Sequence, residues 1–278
     1  AGVHVFDAVR DAATEGRYAL TQHLREALDR HEFKLYYQPK LDLASGCITA
    51  CEALARWPHP RRGMVPPDMF ITALEQTNLI LPFTLWAIHT ALQQRQTWRA
   101  RGWNIDIAVN VPPVVLMNPE FLAFLDSRES LDGVTLEITE NVFLGDLDRL
   151  AAVVASIRAR NVGFSIDDFG TGYSSLQRLR QTAVSEIKID RSFVKDMLAS
   201  KDDAVIVHST IELAHNLGLR VVGEGVENAE TLARLAELRC DSIQGYHICR
   251  PLPPAALEEF LGRSAWPPAR LAPAQASA

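Results

Sequence analysis

Five carboxylates, two amides and a lysine stand at or just beyond the ends of short β-rich runs: Glu52, Asn110, Glu137, Asp167, Asp168, Lys188, Glu224 and Gln244. Each alone says little. A single Glu at a strand end is more often a solvated loop residue than a ligand, and a single Lys is usually a surface charge. The set is informative if the fold points all of its members at one small volume. Two unit charges about 4 Å apart repel by roughly 4 kcal/mol at an effective dielectric near 20. Five converging carboxylates therefore need steeply raised pKa values or neutralising cations. Oxygen ligands that include an amide suit hard Mg²⁺ or Mn²⁺ better than zinc, and adjacent Asp167 and Asp168 could serve two ions together.

The paired aspartates open the stretch Asp167-Asp168-Phe169-Gly170-Thr171-Gly172-Tyr173-Ser174-Ser175-Leu176. Its two glycines permit a tight loop directly after the acids, and Ser174 is placed to cap a following helix. A bare Gly-x-Gly would mean little, since ordinary turns share it.

Stepping outward, β-rich runs at 34–40, 48–55, 105–111, 133–138, 162–167, 184–189, 219–223 and 240–246 alternate with helical patterns. One such pattern, Leu147, Leu150, Val154 and Ile157, carries acids in its first turn and has Gly163 just past its end. Another, Leu85, Ile88 and Leu92, runs on to a stop at Gly102. Alternation implies a parallel sheet, and eight runs suggest closure into an α/β barrel, in which the chemistry gathers where strands pass into βα loops. Only a turn containing Ala44-Ser45-Gly46 separates the first two runs. A parallel crossover needs about a dozen residues, so this pair must be an antiparallel hairpin, with one strand running against the rest.

A length of 278 residues with 47% apolar side chains suffices for such a barrel. The net charge of −6 argues against attraction of a nucleic-acid polymer. Cys47, Cys51, Cys240 and Cys249 form no CxxC pair, consistent with reduced cysteines in a cytoplasmic core, and the eight histidines show no HExxH or HxxEH arrangement. No apolar run approaches the roughly 20 residues that cross a bilayer, and the N-terminus carries no signal-peptide pattern, so no membrane contact is expected of this chain. It begins at Ala1 and reads as a piece of something longer. Residues 1–32, with Leu20, Leu24 and Leu28 on one helical face, read equally as a packed N-terminal helix or as a connector from an upstream domain. The Pro- and Ala-rich stretch 265–278 reads as a disordered tail.

The segments Glu52-Ala53-Leu54-Ala55-Arg56-Trp57, Leu136-Glu137-Ile138-Thr139-Glu140, the Asp-Asp-Phe-Gly-Thr-Gly loop, Ile187-Lys188-Ile189-Asp190, Glu224-Gly225-Val226-Glu227 and Gln244-Gly245-Tyr246 occur in this order. Together they resemble the EAL family of cyclic di-GMP phosphodiesterases, over about Phe33 to Pro254 and within an expected domain 33–264. The resemblance implies a (β/α)8 barrel with an antiparallel first strand. It implies that Glu52, Asn110, Glu137 and Asp167 hold one metal, and that Asp167, Asp168 and Glu224 hold a second. Lys188 would activate the attacking water, with Glu52, Asp167 and Glu224 counted among the catalytic groups. Gln38 would lie near a guanine or phosphate, Arg56 on a phosphate oxygen, and Gln244 beside the substrate. Glu227 and Asp190 would support the site, and Glu140 would brace the loop after Asp168, near a homodimer interface. The cofactors implied are two Mg²⁺ or Mn²⁺ ions, with Ca²⁺ inhibitory, and the product is linear pGpG. The N-terminal segment resembles the end of a GGDEF domain and its linker, which would make the parent protein sensory or membrane-attached while this part stays cytoplasmic.

Two departures stand out: Pro112-Pro113 where the family has a serine two residues past the asparagine, and Gly223 where alanine is common. The prolines remove two amide donors and put the local loop geometry in question. A non-catalytic cyclic di-GMP receptor is the alternative function, although such receptors usually lose ligands or the loop that this sequence keeps. An enolase-like Mg²⁺ barrel fits the residue types but not the loop.

Overall fold

β-branched and apolar runs flanked by amphipathic helices bury both faces of each strand, which is the condition for a parallel sheet. In the computed structural model, which describes residues 23–171, Leu179 and 182–270, the strands are β1 (Lys34–Asp42), β2 (Cys47–His59), β3 (Gly63–Val65), β4 (Asp106–Asn110), β5 (Val134–Thr139), β6 (Gly163–Phe169), β7 (Glu186–Ile189), β8 (Arg220–Gly223) and β9 (Ser242–Gln244). Their order, β1-β9-β8-β7-β6-β5-β4-β2, is closed by pairing of β1 with β2, giving an eight-stranded barrel. β1 runs antiparallel to both neighbours, with Gln38 opposite Glu52 and Lys40 opposite Gln244. The remaining barrel pairs are parallel. The barrel and its reversed strand are those expected from the sequence. β3 is an addition outside the ring: it pairs with the end of β2, placing Val65 opposite Trp57.

The covering helices are α1 (Pro67–Gln76), α2 (Ile80–Ala100), α3 (Pro113–Leu116), α4 (Pro119–Asp126), α5 (Leu147–Arg158), α6 (Arg191–Asp196), α7 (Lys201–Asn216), α8 (Ala229–Glu237) and α9 (Pro254–Arg263). Several start on side-chain caps: Asp146 accepts from the Arg149 amide at 3.1 Å, and Asn228 from the Thr231 amide at 2.8 Å. Leu150, Val154 and Ile157 form the buried face of α5, as their spacing requires. Its exit differs from the sequence reading. Asn161, at φ 65°, makes the left-handed turn, while Gly163 already belongs to β6, where a Cβ would sit 2.8 Å from Thr135 Oγ1. That glycine serves close strand packing rather than helix termination.

The two prolines after β4 cause no disruption. Pro112 is extended, at ψ 143°, and Pro113 occupies the first turn of α3. The amide of an N1 residue has no intrahelical acceptor, so its loss there is tolerated. The hydrogen bond from Val111 N to Glu137 O, 2.8 Å, is kept.

Residues 23–29 are helical, with Leu24 and Ala27 fully buried. Leu20 and most of the expected connector lie outside the described residues, as do Gly172–Ser175 with the Ser174 cap. The expected tail is ordered in its first part. Ile48 N donates to Pro267 O, Ala269 N to Ile48 O and Asn104 N to Ala269 O, at 2.9, 2.9 and 2.7 Å. Ile48, at the start of β2, offers the unpaired backbone that draws this segment in, a feature that composition does not carry. Residues 271–278 lie outside the described part.

Candidate metal centre

Barrel closure puts the strand-end residues around one mouth. Glu52 faces inward from β2, Asn110 ends β4, Glu137 stands on β5, Lys188 on β7 and Gln244 on β9, while Glu224 directly follows β8. Consecutive strand residues ordinarily point to opposite faces. Asp167 and Asp168 escape this because the register between β6 and β7 shifts between Ile166 and Phe169. Such irregularities re-aim side chains beside functional sites. Asp168 adopts φ 54°, a left-handed conformation that aspartate tolerates better than most residues, and its amide donates to Asp167 Oδ1 at 3.0 Å.

Carboxylate oxygens of Glu52, Glu137 and Asp167 lie within 4.8 Å of one another, and so do those of Asp167, Asp168 and Glu224. Asp167 belongs to both groups. The Lys188 ammonium sits among them, 2.8 Å from Glu224, 3.0 Å from Glu137, 3.0 Å from Asp167 and 3.4 Å from Glu52. Around this cluster is a cleft of about 690 Å³ lined by Gln38, Glu52, Asp167, Asp168, Lys188, Asp190, Glu224, Glu227 and Gln244.

The electrostatics reflect crowding. Burial pushes the Glu224 carboxyl up to about 8 against the attraction of Lys188, with Asp167 and Glu52 adding to the rise. Burial also raises Asp168 to about 6, helped by Asp167 and by Asp190. Glu52 is raised by burial and by Glu137. Glu137 goes the other way: burial disfavours its charge, but Lys188 and Lys40 together hold it down at about 2. The Lys188 ammonium is destabilised by burial, yet Glu137, Glu224, Glu52 and Asp167 keep it well above an ordinary lysine. Glu224 holds its proton at neutral pH although a lysine sits beside it, so the donor set has capacity for more positive charge. All-oxygen donors of this kind fit hard divalent cations.

The other expected residues fall into two groups. Asn110 Nδ2 donates to Glu52 Oε1 at 2.8 Å, and Gln244 Nε2 donates to Glu52 Oε2 at 2.7 Å, so both fix that carboxylate. Glu140 Oε2 accepts from Gly170 N at 3.2 Å, joining it to the loop after the paired acids. Asp190 caps α6 through Ser192 N at 2.9 Å. Gln38 is buried; its amide donates to Cys249 O at 3.2 Å and its oxygen accepts from Gln244 at 3.1 Å, so it props Gln244 at the cleft floor. Glu227 is exposed on the rim. Among the described residues Arg56 makes no ion pair with the acids, but it lines a cleft shared with Asn110, Glu137, Asp167 and Asp168. It donates to Ala55 O at 2.8 Å, and this adjoining, more apolar cleft of about 440 Å³ also takes in Ile71, Phe83 and Pro112.

Lys40 was not among the residues singled out by motif. Its ammonium is 2.6 Å from Glu137 Oε1 and 3.5 Å from Glu186 Oε1. The signal was present, because β1 carries Gln38 and Lys40 at a spacing of two, on the same face of the sheet as their partners Glu52 and Ala50.

Comparison with known proteins agrees with this geometry. The family model of the EAL domain matches residues 21–251. The bifunctional diguanylate cyclase/cyclic di-GMP phosphodiesterase MucR of Pseudomonas aeruginosa is 36% identical over 260 residues, covering 91% of this chain and 38% of that protein. The cyclic di-GMP phosphodiesterase NbdA of the same organism is 38% identical over 250 residues, covering 87% of this chain and 32% of that protein. The chain thus spans well under half the length of these curated relatives. Among solved structures, the PaMucR phosphodiesterase in complex with c-di-GMP superposes with a TM-score of 0.82 at 36% identity, covering 86% of this chain and 99% of that one. The EAL enzyme Bd1971, bound to cAMP and cyclic di-GMP, gives 0.83 at 31%, covering 89% and 69%. With the family model matching most of its length, and with the acids of the family's motifs meeting at the mouth of a barrel whose first strand is reversed, this chain belongs to the EAL domain family.

Proposed function

We propose that this chain is a metal-dependent phosphodiesterase that opens cyclic di-GMP to linear pGpG. The observation that carries the reading is the pair of carboxylate groups sharing Asp167, with Lys188 among them, at the floor of an open cleft. Glu52, Asn110, Glu137 and Asp167 would hold one Mg²⁺ or Mn²⁺, and Asp167, Asp168 and Glu224 a second. Such ions, when bound, supply a water of lowered pKa and offset charge on the phosphate.

The chain's own residues do the rest. Gln244 and Asn110 hold Glu52 in one orientation, so the site is set before substrate arrives. Lys188, fully charged at neutral pH, offers its ammonium to the phosphate oxygens as charge develops in the transition state. Attack at phosphorus breaks the bond to one 3′ oxygen, which leaves with a proton as the ribose hydroxyl. The apolar cleft beside Arg56 is suited to a base, and Arg56 at its wall to the second phosphate. The same proposal includes inhibition by Ca²⁺, a homodimer formed through the segment after Asp168, and a cytoplasmic setting for this part of the parent protein. Among the described residues no helix is long and apolar enough to cross a membrane.

The deciding experiment is chromatography of cyclic di-GMP incubated with the purified chain and Mg²⁺ or Mn²⁺, with and without chelator. The expected result is metal-dependent pGpG, abolished by Glu52→Ala. Tight nucleotide binding with metal present and no product would replace the enzyme with a receptor.

A further inference from the structure

Lys40 poses a physical question. Its side chain is 4% exposed, in the barrel interior, where it contacts the fully buried Glu137 and the partly buried Glu186. Burying an ion pair costs several kcal/mol per charge, and well-packed apolar residues of similar volume often serve stability as well or better. Stability alone therefore does not account for a lysine here.

The geometry suggests what does. β1 runs antiparallel to its neighbours, so Lys40 comes two residues further from the mouth than Gln38, which faces Glu52. It approaches Glu137 from the barrel floor and takes Oε1 at 2.6 Å, while Lys188 meets Oε2 at 3.0 Å. The same level of the barrel holds Ser165 and Glu186, in register with one another and with Glu137, and the buried Ser165 hydroxyl has no hydrogen-bond partner. Glu137 is thus tied from below by the lysine and presents a single oxygen toward the other acids.

We propose that Lys40 is a specificity-determining residue for the metal, acting through Glu137, an inference that rests on the two-metal reading above. Ca²⁺ takes six to eight oxygens and readily accepts both oxygens of one carboxylate, whereas Mg²⁺ demands a near-octahedral set of single oxygens. By occupying Oε1, Lys40 denies the bidentate mode and leaves a ligand that suits the smaller ion.

The test is calorimetric binding of Mg²⁺ and of Ca²⁺, each alone and without nucleotide, to the wild-type chain and to Lys40→Met, with thermal melting to confirm folding. Removing a positive charge strengthens both ions, and a packing defect weakens both, so the ratio of the two dissociation constants is the readout. The ratio is expected to move toward Ca²⁺ by roughly tenfold, the order of one charge-assisted contact, with Ca²⁺ inhibition of turnover shifting in parallel. An unchanged ratio overturns the assignment. If Lys40→Met does not fold, Lys40→Gln, whose side chain is one atom shorter, is measured instead, with a smaller shift in the same direction expected and no shift again overturning it. Failure of the wild-type chain to bind either ion would instead sink the two-metal reading itself.

Discussion

Replacing Glu224 by glutamine should stabilise the metal-free protein at alkaline pH, although it removes a proposed metal ligand. The folded chain raises this carboxyl from an ordinary 4.5 to about 8 through burial, opposed by Lys188 and aided by Asp167 and Glu52. Between those values the folded state holds a proton that the unfolded state has released. Stability from the neutral carboxyl is therefore complete below about pH 4.5 and is lost as pH rises through about 8. One proton of difference corresponds to about 1.4 kcal/mol per pH unit, so roughly 2 kcal/mol disappears between pH 6 and pH 8. For a domain of this size that is a fall in melting temperature of roughly 5 °C. Asp168 titrates lower, near 6, and Glu137 lower still, near 2, so neither dominates the window above pH 6.5; Glu52, also raised, is common to both chains, so the difference between them reports Glu224. Glutamine imitates the protonated carboxyl at every pH. Melting in chelator from pH 6 to 8.5 should show a decline for the wild-type chain and a much flatter line for Glu224→Gln, the variant ending several degrees above wild type. Saturating Mg²⁺ should reverse the order, because only the wild-type chain gains the full ligand set. Parallel slopes in chelator would refute the reasoning, since they would mean that burial does not hold a proton on Glu224.

Lys188→Met removes the cation lying within 3.4 Å of Glu52, Glu137, Asp167 and Glu224. Urea unfolding in chelator at pH 8 should show a loss of about 3 kcal/mol, largely recovered with Mg²⁺ while turnover stays abolished. Gly245→Ala places a Cβ 2.1 Å from Val226 O and 2.3 Å from Val226 N, backbone atoms that cannot rotate away. It should cost about 1–3 kcal/mol and displace Gln244, read as a lower midpoint together with weaker turnover. Thiol labelling of the native chain should modify Cys47 quickly and the other three slowly, since Cys51 and Cys240 are buried and burial pushes their thiols upward. All four should react in denaturant.

The parts of this molecule legible in the sequence are those where local pattern and physical necessity coincide. A turn as short as Ala44-Ser45-Gly46 can join only antiparallel strands, so the reversed strand followed from loop length alone. The convergence of Glu52, Glu137, Asp167, Asp168, Lys188 and Glu224 followed from strand ends that a closed barrel must bring together. Illegible parts depend on partners distant in the chain. Gly163 follows α5 closely enough to read as its stop, yet the neighbour that requires a glycine is Thr135 on the adjoining strand. Pro112-Pro113 looks disruptive until α3 is seen to begin there and use the second proline at its first position. The exact pose of Arg56 also depends on its surroundings: its guanidinium donates to the Ala55 carbonyl and stands 5.7 Å from the centre of the Tyr36 ring, on the wall of the cleft beside the acids. Lys40 went unremarked although it ends the run 34–40, because the end of a reversed strand lies away from the mouth where the motif acids gather. It matters only because β1 runs backwards, which delivers a side chain from a neighbouring hairpin to the underside of Glu137. The reversed strand thus does more than close the barrel: its far end sets the Lys40 ammonium against Glu137, between that acid and Glu186.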